Sequence, residues 1–288
     1  MITTDALVED VHFTRDAMSA AQVGERALAS NLSDIAAMGA RPILATIALG
    51  VPRGLPPQWI LDCYAGIAEL ARHTGTAIAG GDIVGAPSIV ISISIVGEVR
   101  PSNLKLRSGA RPGDVLAVTG ELGGSRVGLE IMLERSDLRG DPRFASALAA
   151  YTTPQPRLRE GHRLGASVTV HAMMDLSDGL STDLHRLCAA SNVGAVIDEV
   201  PCAPCVREFA ALAGTDPLRY ALDGGEDFEL LVAIAPRAFR TLAARFEKTF
   251  GRRLSRIGSV TEGSAVRLRN GDGTRELTSA GWDHLRAR

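Results

Sequence analysis

Residues 171–183, HAMMDLSDGLSTD, constrain this chain more than any other stretch. An apolar, β-prone run over residues 166–173 ends in three polar side chains, Asp175, Ser177 and Asp178, followed by Gly179. Leu180, Leu184 and Leu187 then recur at helix spacing, so the pattern predicts a strand-to-helix junction. Such a junction presents free backbone N–H groups and the positive end of a helix, which attract anions, while its carboxylates suit hard cations. These residues alone leave two readings open: a metal-bridged phosphate site, or a helix cap supplied by Asp175 or Ser177.

What surrounds that junction is an ordinary globular chain. Its 288 residues are 45% hydrophobic and 22% charged, enough to bury a large core and to suggest about two domains. A net charge of -2 and a pI near 6.3 give no electrostatic case for nucleic acid or an anionic membrane as partner. The apolar runs are strand-sized and broken by charge, Gly or Ser, so neither a transmembrane span nor a signal peptide is expected. Four cysteines are too few for a disulfide framework and fit a reducing cytoplasm. Cys202 and Cys205 have redox or zinc spacing, but no second pair completes a four-ligand site, and the pair is read as incidental.

Along the chain, residues 2–5 read as the end of a strand, and residues 6–13 as a loop or short strand carrying His12. A helix is predicted over 20–38, placing Asn31 and Asp34 on a face shared with Ala27 and Met38. A carboxylate on such a face is costly unless compensated, for example by a cation; the other reading is a solvated surface aspartate. A strand over 43–51, a helix over 57–73 and a short strand over 76–79 follow, the last ending in Gly80, Gly81 and Asp82. Paired glycines let a backbone approach a polyanion closely, although most make turns. Residues 88–96 alternate strictly and form the clearest strand.

Residues 100–112 read as a loop and domain boundary, before a strand over 115–119 and a glycine-rich turn, GELGGS, into a helix ending near Arg135. That turn lacks both the Gly-Lys-Ser/Thr of a Walker A loop and the dinucleotide spacing Gly-x-Gly-x-x-Gly. A polar stretch over 136–156 carries a short helix at 144–151. Beyond the junction come a strand over 194–197, helices over 206–212 and 217–222, and Asp223-Gly-Gly-Glu-Asp227 running into a strand over 228–234. A helix over Pro236–Phe250, a strand over 254–260 and a tail through 266–268 and Trp282 complete an α+β pattern of two αβ halves, each contributing acidic loops.

Acids or hydroxyls therefore sit next to turns at Thr3, Thr4, Asp5, Asp34, Asp82, Asp175, Ser177, Asp178, Glu226 and Asp227, with Arg107 as a cation at the boundary. No Ser-His-Asp order, nucleophile elbow, HExxH or Cys-His pairing competes with them, and many carboxylates with one arginine point to a multi-magnesium phosphate site.

The blocks TTDALVEDVHF, NLSDIAAMGARP, GGD, RSGARPGD, MDLSDGL, GGEDFEL and GWDHL stand in the order and approximate spacing of the thiamine-monophosphate kinases. The chain thus resembles that family, which lies within the superfamily of aminoimidazole-ribonucleotide synthetase (PurM) and selenophosphate synthetase. The resemblance implies two PurM-like αβ domains, residues 1–102 and 103–288, the first dimerising through its sheet, with ATP between them. It implies ATP-dependent phosphorylation of thiamine monophosphate to thiamine diphosphate, the last step of that cofactor's biosynthesis, by in-line transfer assisted by several Mg2+ ions. Thr3, Thr4, Asp5, Asp34, Asp82, Asp175 and Asp178 match metal positions, and Gly81, Asp82, Arg107, Ser177 and Tyr64 match ATP positions. His12, Glu226 and Trp282 match positions for thiamine monophosphate, while Asp178 and Arg107 carry the catalytic expectation.

The family pattern also has a segment ahead of the position of Thr3 with a Gly-x-Gly-Asp-Asp motif, and Asp10 stands where it usually has glycine. The expectation is that the true start lies upstream, and that the chain as written binds magnesium nucleotide poorly and has little activity. Two alternatives follow: another ATP-dependent synthetase of the superfamily, or a truncated nucleotide-binding dimer. The absence of an N-terminal Cys/Lys pair and the presence of GWDHL argue against the first.

Overall fold

The computed structural model describes residues 1–271 and 273–281. Among these, the chain folds into two αβ units, each built on its own sheet. The first sheet has the order β1-β4-β2-β3, from β1 (Ile2–Val8), β2 (Arg41–Val51), β3 (Ala77–Gly85) and β4 (Val90–Glu98). Strand β4 runs antiparallel to β1 and β2, and β3 runs parallel to β2. The alternation in β4 does its work: Ile91, Ile93 and Ile95 are buried, while Val90, Ser92, Ser94 and Val96 stand half-exposed on the opposite face. Two helices, α1 (Ala20–Ala37) and α2 (Pro57–Thr74), cover the isoleucine face. Their crossing is close because Gly24 and Gly66 sit at it; a Cβ on either would overlap the backbone carbonyl of Cys63 or Ala21.

The second sheet joins β5 (Val115–Val118), β6 (Val170–Asp175), β7 (Gly194–Ile197), β8 (Leu230–Ile234), β9 (Ser255–Thr261), β10 (Val266–Asn270) and β11 (Gly273–Glu276). Its order is β11-β10-β7-β9-β5-β8-β6, antiparallel except between β7 and β10. One face packs beneath α3 (Gly124–Leu133), α4 (Ala145–Thr152), α6 (Leu180–Ser191), α7 (Pro204–Ala213) and α8 (Pro217–Asp223). The other is covered by α5 (Leu158–Gly165), α9 (Pro236–Phe250) and the C-terminal end of α1, through Ala36 and Ala37. Helix α1 thus belongs to both units and is buried almost all round, polar Arg26, Ser30, Asn31 and Ser33 included.

Three expectations need correction. The strand expected over 76–79 does not stop at the glycines: β3 continues through Gly80, Gly81 and Asp82 to Gly85. Gly81 is required by strand packing, since a Cβ there would overlap the carbonyl of Ile47 on β2. Helix α5 was not expected, because LREGHRLG is polar and carries two glycines; those glycines let it lie against the backbone of Ala36 and Gly39. The junction strand starts at Val170 rather than 166, since the last turn of α5 and a bend occupy the residues before it. No helix among the described residues is long and apolar enough to cross a membrane.

Candidate active site

The two units meet over a cavity of about 620 Å3. Its walls include Asp5 and His12 from the first strand and its loop, Ser30 and Asp34 from α1, Asp175, Ser177 and Asp178 from the junction, and Glu226.

Helix α1 is the seam. Towards β1, the Thr3 hydroxyl donates to the Asp34 carboxylate, and the Asp5 backbone N–H donates to Asn31 Oδ1 at 3.0 Å. Towards the second unit, the Ser33 hydroxyl donates to Asp175 Oδ2 at 2.6 Å. Asp175 closes β6, and its pKa is pushed up to about 7, first by burial and then by the nearby charge of Asp34. Burial likewise raises the Asp34 carboxyl, against the Thr3 hydrogen bond and the field of Arg107. Two neighbouring carboxyls raised by burial, Asp175 further by the charge of Asp34, are the electrostatic condition a divalent cation relieves.

The junction turn is held from two sides. Gly179 has φ +103° with the Leu222 carbonyl 2.9 Å from where its Cβ would sit, so no side chain fits there. The Glu226 N–H donates to Ser177 O at 2.7 Å, and Phe228 N–H to Leu176 O at 2.9 Å, locking the two acidic loops together. Asp183 is fully buried and accepts the Asp178 N–H at 3.0 Å, while Arg186 bridges Asp178 and Asp183. Neither Asp175 nor Ser177 caps α6, whose N-cap Gly179 has no side-chain cap bond; Asp183, in the first turn of the helix, reaches back to hold the turn instead.

Glu226 itself stands at φ +57° and pairs with Arg26. Across the cavity, His12 Nδ1 accepts the Val8 N–H at 3.0 Å, which puts the proton of the neutral ring on Nε2. Asp227 turns the other way: its carboxylate accepts the Gly123 N–H at 2.9 and 3.0 Å, at the start of α3. The amides of the glycine-rich turn are therefore spent on an internal carboxylate, and burial pushes the Asp227 pKa up to about 8.

Not every expected residue reaches this cleft. Thr4 points to the far face of the first sheet, donating to Ile93 O at 3.2 Å and accepting from Ser94 at 3.0 Å. Asp82 lies exposed on β3 in register with Ala48 and, through β4, with Ser92 and Ala6 on that same far face. Ala6 and Asp82 are three strand spacings apart, about 14 Å. The acids were expected to converge on one cleft; Asp34, Asp175 and Asp178 do, and Asp82 does not within this chain. Tyr64 packs half-buried on the first core, Gly81 stands beside β2, and Arg107 is exposed at the boundary within electrostatic reach of Asp34. Trp282 lies outside the described residues. All four cysteines are free and buried, with thiol pKa values raised by burial. Among the described residues no three His, Cys, Asp or Glu side chains are gathered as a metal cage.

Sequence reasoning missed Arg26, Ser33, Tyr151 and Asp183. The signal for Arg26 was present, since Arg26, Ser30 and Asp34 follow each other at four-residue spacing on one stripe of a helix otherwise rich in Ala and Leu.

The comparisons agree along the whole chain. The family described as AIR synthase related protein matches with its N-terminal domain over residues 1–99 and its C-terminal domain over residues 111–270. The thiamine-monophosphate kinase of Synechococcus elongatus is 36% identical over 292 residues, covering 99% of this chain and 86% of that protein. The crystal structure of thiamine monophosphate kinase from Aquifex aeolicus superposes with a TM-score of 0.86 at 30% identity, over 96% of this chain and 88% of that one. AaThiL complexed with AMPPCP and TMP gives a TM-score of 0.87 at 30% identity, over 99% and 86%. With both halves of the acidic cleft drawn from domains that these relatives share, the chain belongs to the thiamine-monophosphate kinases of the AIR synthase related family.

Proposed function

We propose that this protein transfers the γ-phosphoryl group of ATP to thiamine monophosphate, giving thiamine diphosphate and ADP. The observation that carries this reading is one cavity lined both by clustered aspartates and by His12, Tyr151 and Glu226, in a chain that resembles AaThiL complexed with AMPPCP and TMP. Asp5, Asp34, Asp175 and Asp178 are the carboxylates suited to a metal-bound phosphate chain; His12, Tyr151 and Glu226, joined through Arg26, suit an organic cation.

The acceptor is a phosphate monoester, mostly dianionic at neutral pH because its second pKa is about 6, so no general base has to create the nucleophile. The difficulty is to align two phosphates that repel each other. Magnesium ions held by Asp5, Asp34, Asp175 and Asp178 would neutralise that repulsion, and because Mg2+ is commonly bound through one or two carboxylates plus substrate phosphates, no complete protein cage is needed. Ser177 and Arg107 orient the nucleotide, with Arg107 as the cation facing the transferring group in an in-line displacement. Asp178 fixes the phosphate end of the cleft.

The reading includes a homodimer of domains 1–102 and 103–288 in the cytoplasm. The far face of the first sheet carries Ile2, Thr4, Ala6, Ser92, Ser94 and Val84, with Asp82 as the acid of β3 and Glu98 at the very end of β4, paired in register with Arg41. A face so sparsely charged, with Ile2 and Val84 exposed on it, suits a second copy. Stacking two of them would let Asp82 of the partner subunit approach Thr4, which the resemblance assigns with it to metal. The test is a coupled assay with ATP, Mg2+ and thiamine monophosphate, read as thiamine diphosphate; absence of that product from a folded, nucleotide-binding protein sinks the proposal.

A further inference from the structure

Arg26 is 1% exposed, the largest fully buried side chain of the described residues, and it lies behind the cavity wall, against the lining residues Tyr151 and Glu226. Its guanidinium stacks 4.2 Å from the ring centroid of Tyr151, one nitrogen donates to the Tyr151 carbonyl, and another pairs with Glu226 Oε1. Tyr151 in turn donates its hydroxyl to the His12 carbonyl at 3.3 Å. A single buried cation thus connects both described residues that the family resemblance places on the substrate.

The geometry constrains what Glu226 can do. A buried arginine charge has to be paired, and Glu226 is its one acidic partner among the described residues. The backbone of Glu226 is fixed in the left-handed region at φ +57° by its N–H bond to Ser177 O. With Oε1 spent on Arg26, Oε2 has no hydrogen-bond partner among the described residues, and the side chain lines the cavity. The guanidinium is turned towards Tyr151 and Glu226, so this end of the cavity offers a ligand an acceptor. In thiamine monophosphate the carbon-bound N–H donor is the exocyclic amine of the pyrimidine, and the thiazolium has none.

We propose that Arg26 is a positioning residue that sets substrate specificity: it holds Glu226 as a carboxylate aimed to accept from the aminopyrimidine edge. This rests on the reading of the cleft as a thiamine monophosphate site.

The test compares thiamine monophosphate with oxythiamine monophosphate, in which oxygen replaces the amine, on wild type, Arg26→Met and Glu226→Gln. Wild type should favour the amine by about 100-fold in kcat/KM, since a site built to accept a hydrogen bond rejects the analogue lacking it. Arg26→Met should shrink that ratio below about 5-fold, raise KM for thiamine monophosphate and leave kcat and KM for ATP within about 3-fold, the pattern of lost ground-state binding. A merely structural role would lower soluble yield or melting temperature without moving the ratio. An unchanged ratio in folded Arg26→Met overturns the proposal. If that variant does not fold, Glu226→Gln decides: loss or reversal of the preference supports it, and retention overturns it. Calorimetric binding of both compounds to wild type separates the two readings. Preferential binding without turnover removes the kinase reading and leaves Arg26's role standing; binding of neither compound removes both.

Discussion

Residues 175–179 and 223–227 read alike, each setting acids beside glycine at the edge of a strand, yet the fold uses them in opposite ways. In the first, Asp178 faces the cavity and its backbone is anchored from behind by buried Asp183. In the second, the neighbours Glu226 and Asp227 diverge: Glu226 enters the cavity and Asp227 points inward to cap α3. An acid next to glycine is therefore a metal candidate where a second group holds its backbone and leaves its side chain at the cavity, as Asp183 does for Asp178. Where backbone amides already take the carboxylate oxygens, the acid is architecture.

The contrast can be broken by exchange of charge for shape. Asp178→Asn should cut turnover by about 10²–10³ or more, the scale of losing one preorganised electrostatic contact to a reacting group, while the melting temperature stays put. Near-normal turnover across a magnesium titration would take Asp178 out of the phosphate end. Asp227→Asn should do the reverse, costing about 1–3 kcal/mol in denaturant unfolding through the lost cap, with kcat/KM per folded molecule little changed. Gly225→Ala tests whether the loops act as a unit. It sits at φ +71° with the Ser177 carbonyl 2.9 Å from its Cβ position, so about 1–2 kcal/mol of stability and some ATP affinity should go together. Loss of stability alone would show that the second loop does not hold the first. The smallest effect is expected from Arg186→Met, because Arg186 is itself 44% exposed, so solvent screens its pairs with both Asp178 and buried Asp183, each worth about 1 kcal/mol or less.

Much of the fold was legible because periodicity reports burial. Strand β4 and helices α1, α2 and α9 stand close to where their apolar spacing put them. Helix α5 was hidden because its reason to exist is contact with α1 through Gly161 and Gly165, which no local pattern records. In the site, the motif blocks named acids but not directions. Thr3 and Thr4 are adjacent in sequence and lie on opposite faces of one strand, so only one hydroxyl meets Asp34. Strand order could not be read either, and it is strand order that carries Asp82 to the far edge of the sheet. Arg26 showed in the spacing of its helix, but its partners did not: they come from residues 151 and 226, and long-range pairing leaves no trace at short range.

Helix α1 bears a consequence of its own. Its flanks feed two cores at once, with Leu28 and Leu32 in one and Ala36 and Ala37 in the other. A protease nick in the loop around residues 100–112 should therefore give two bands on a denaturing gel but a single particle in solution, and neither half expressed alone should be soluble, since each would bare the surface that this one helix now shares.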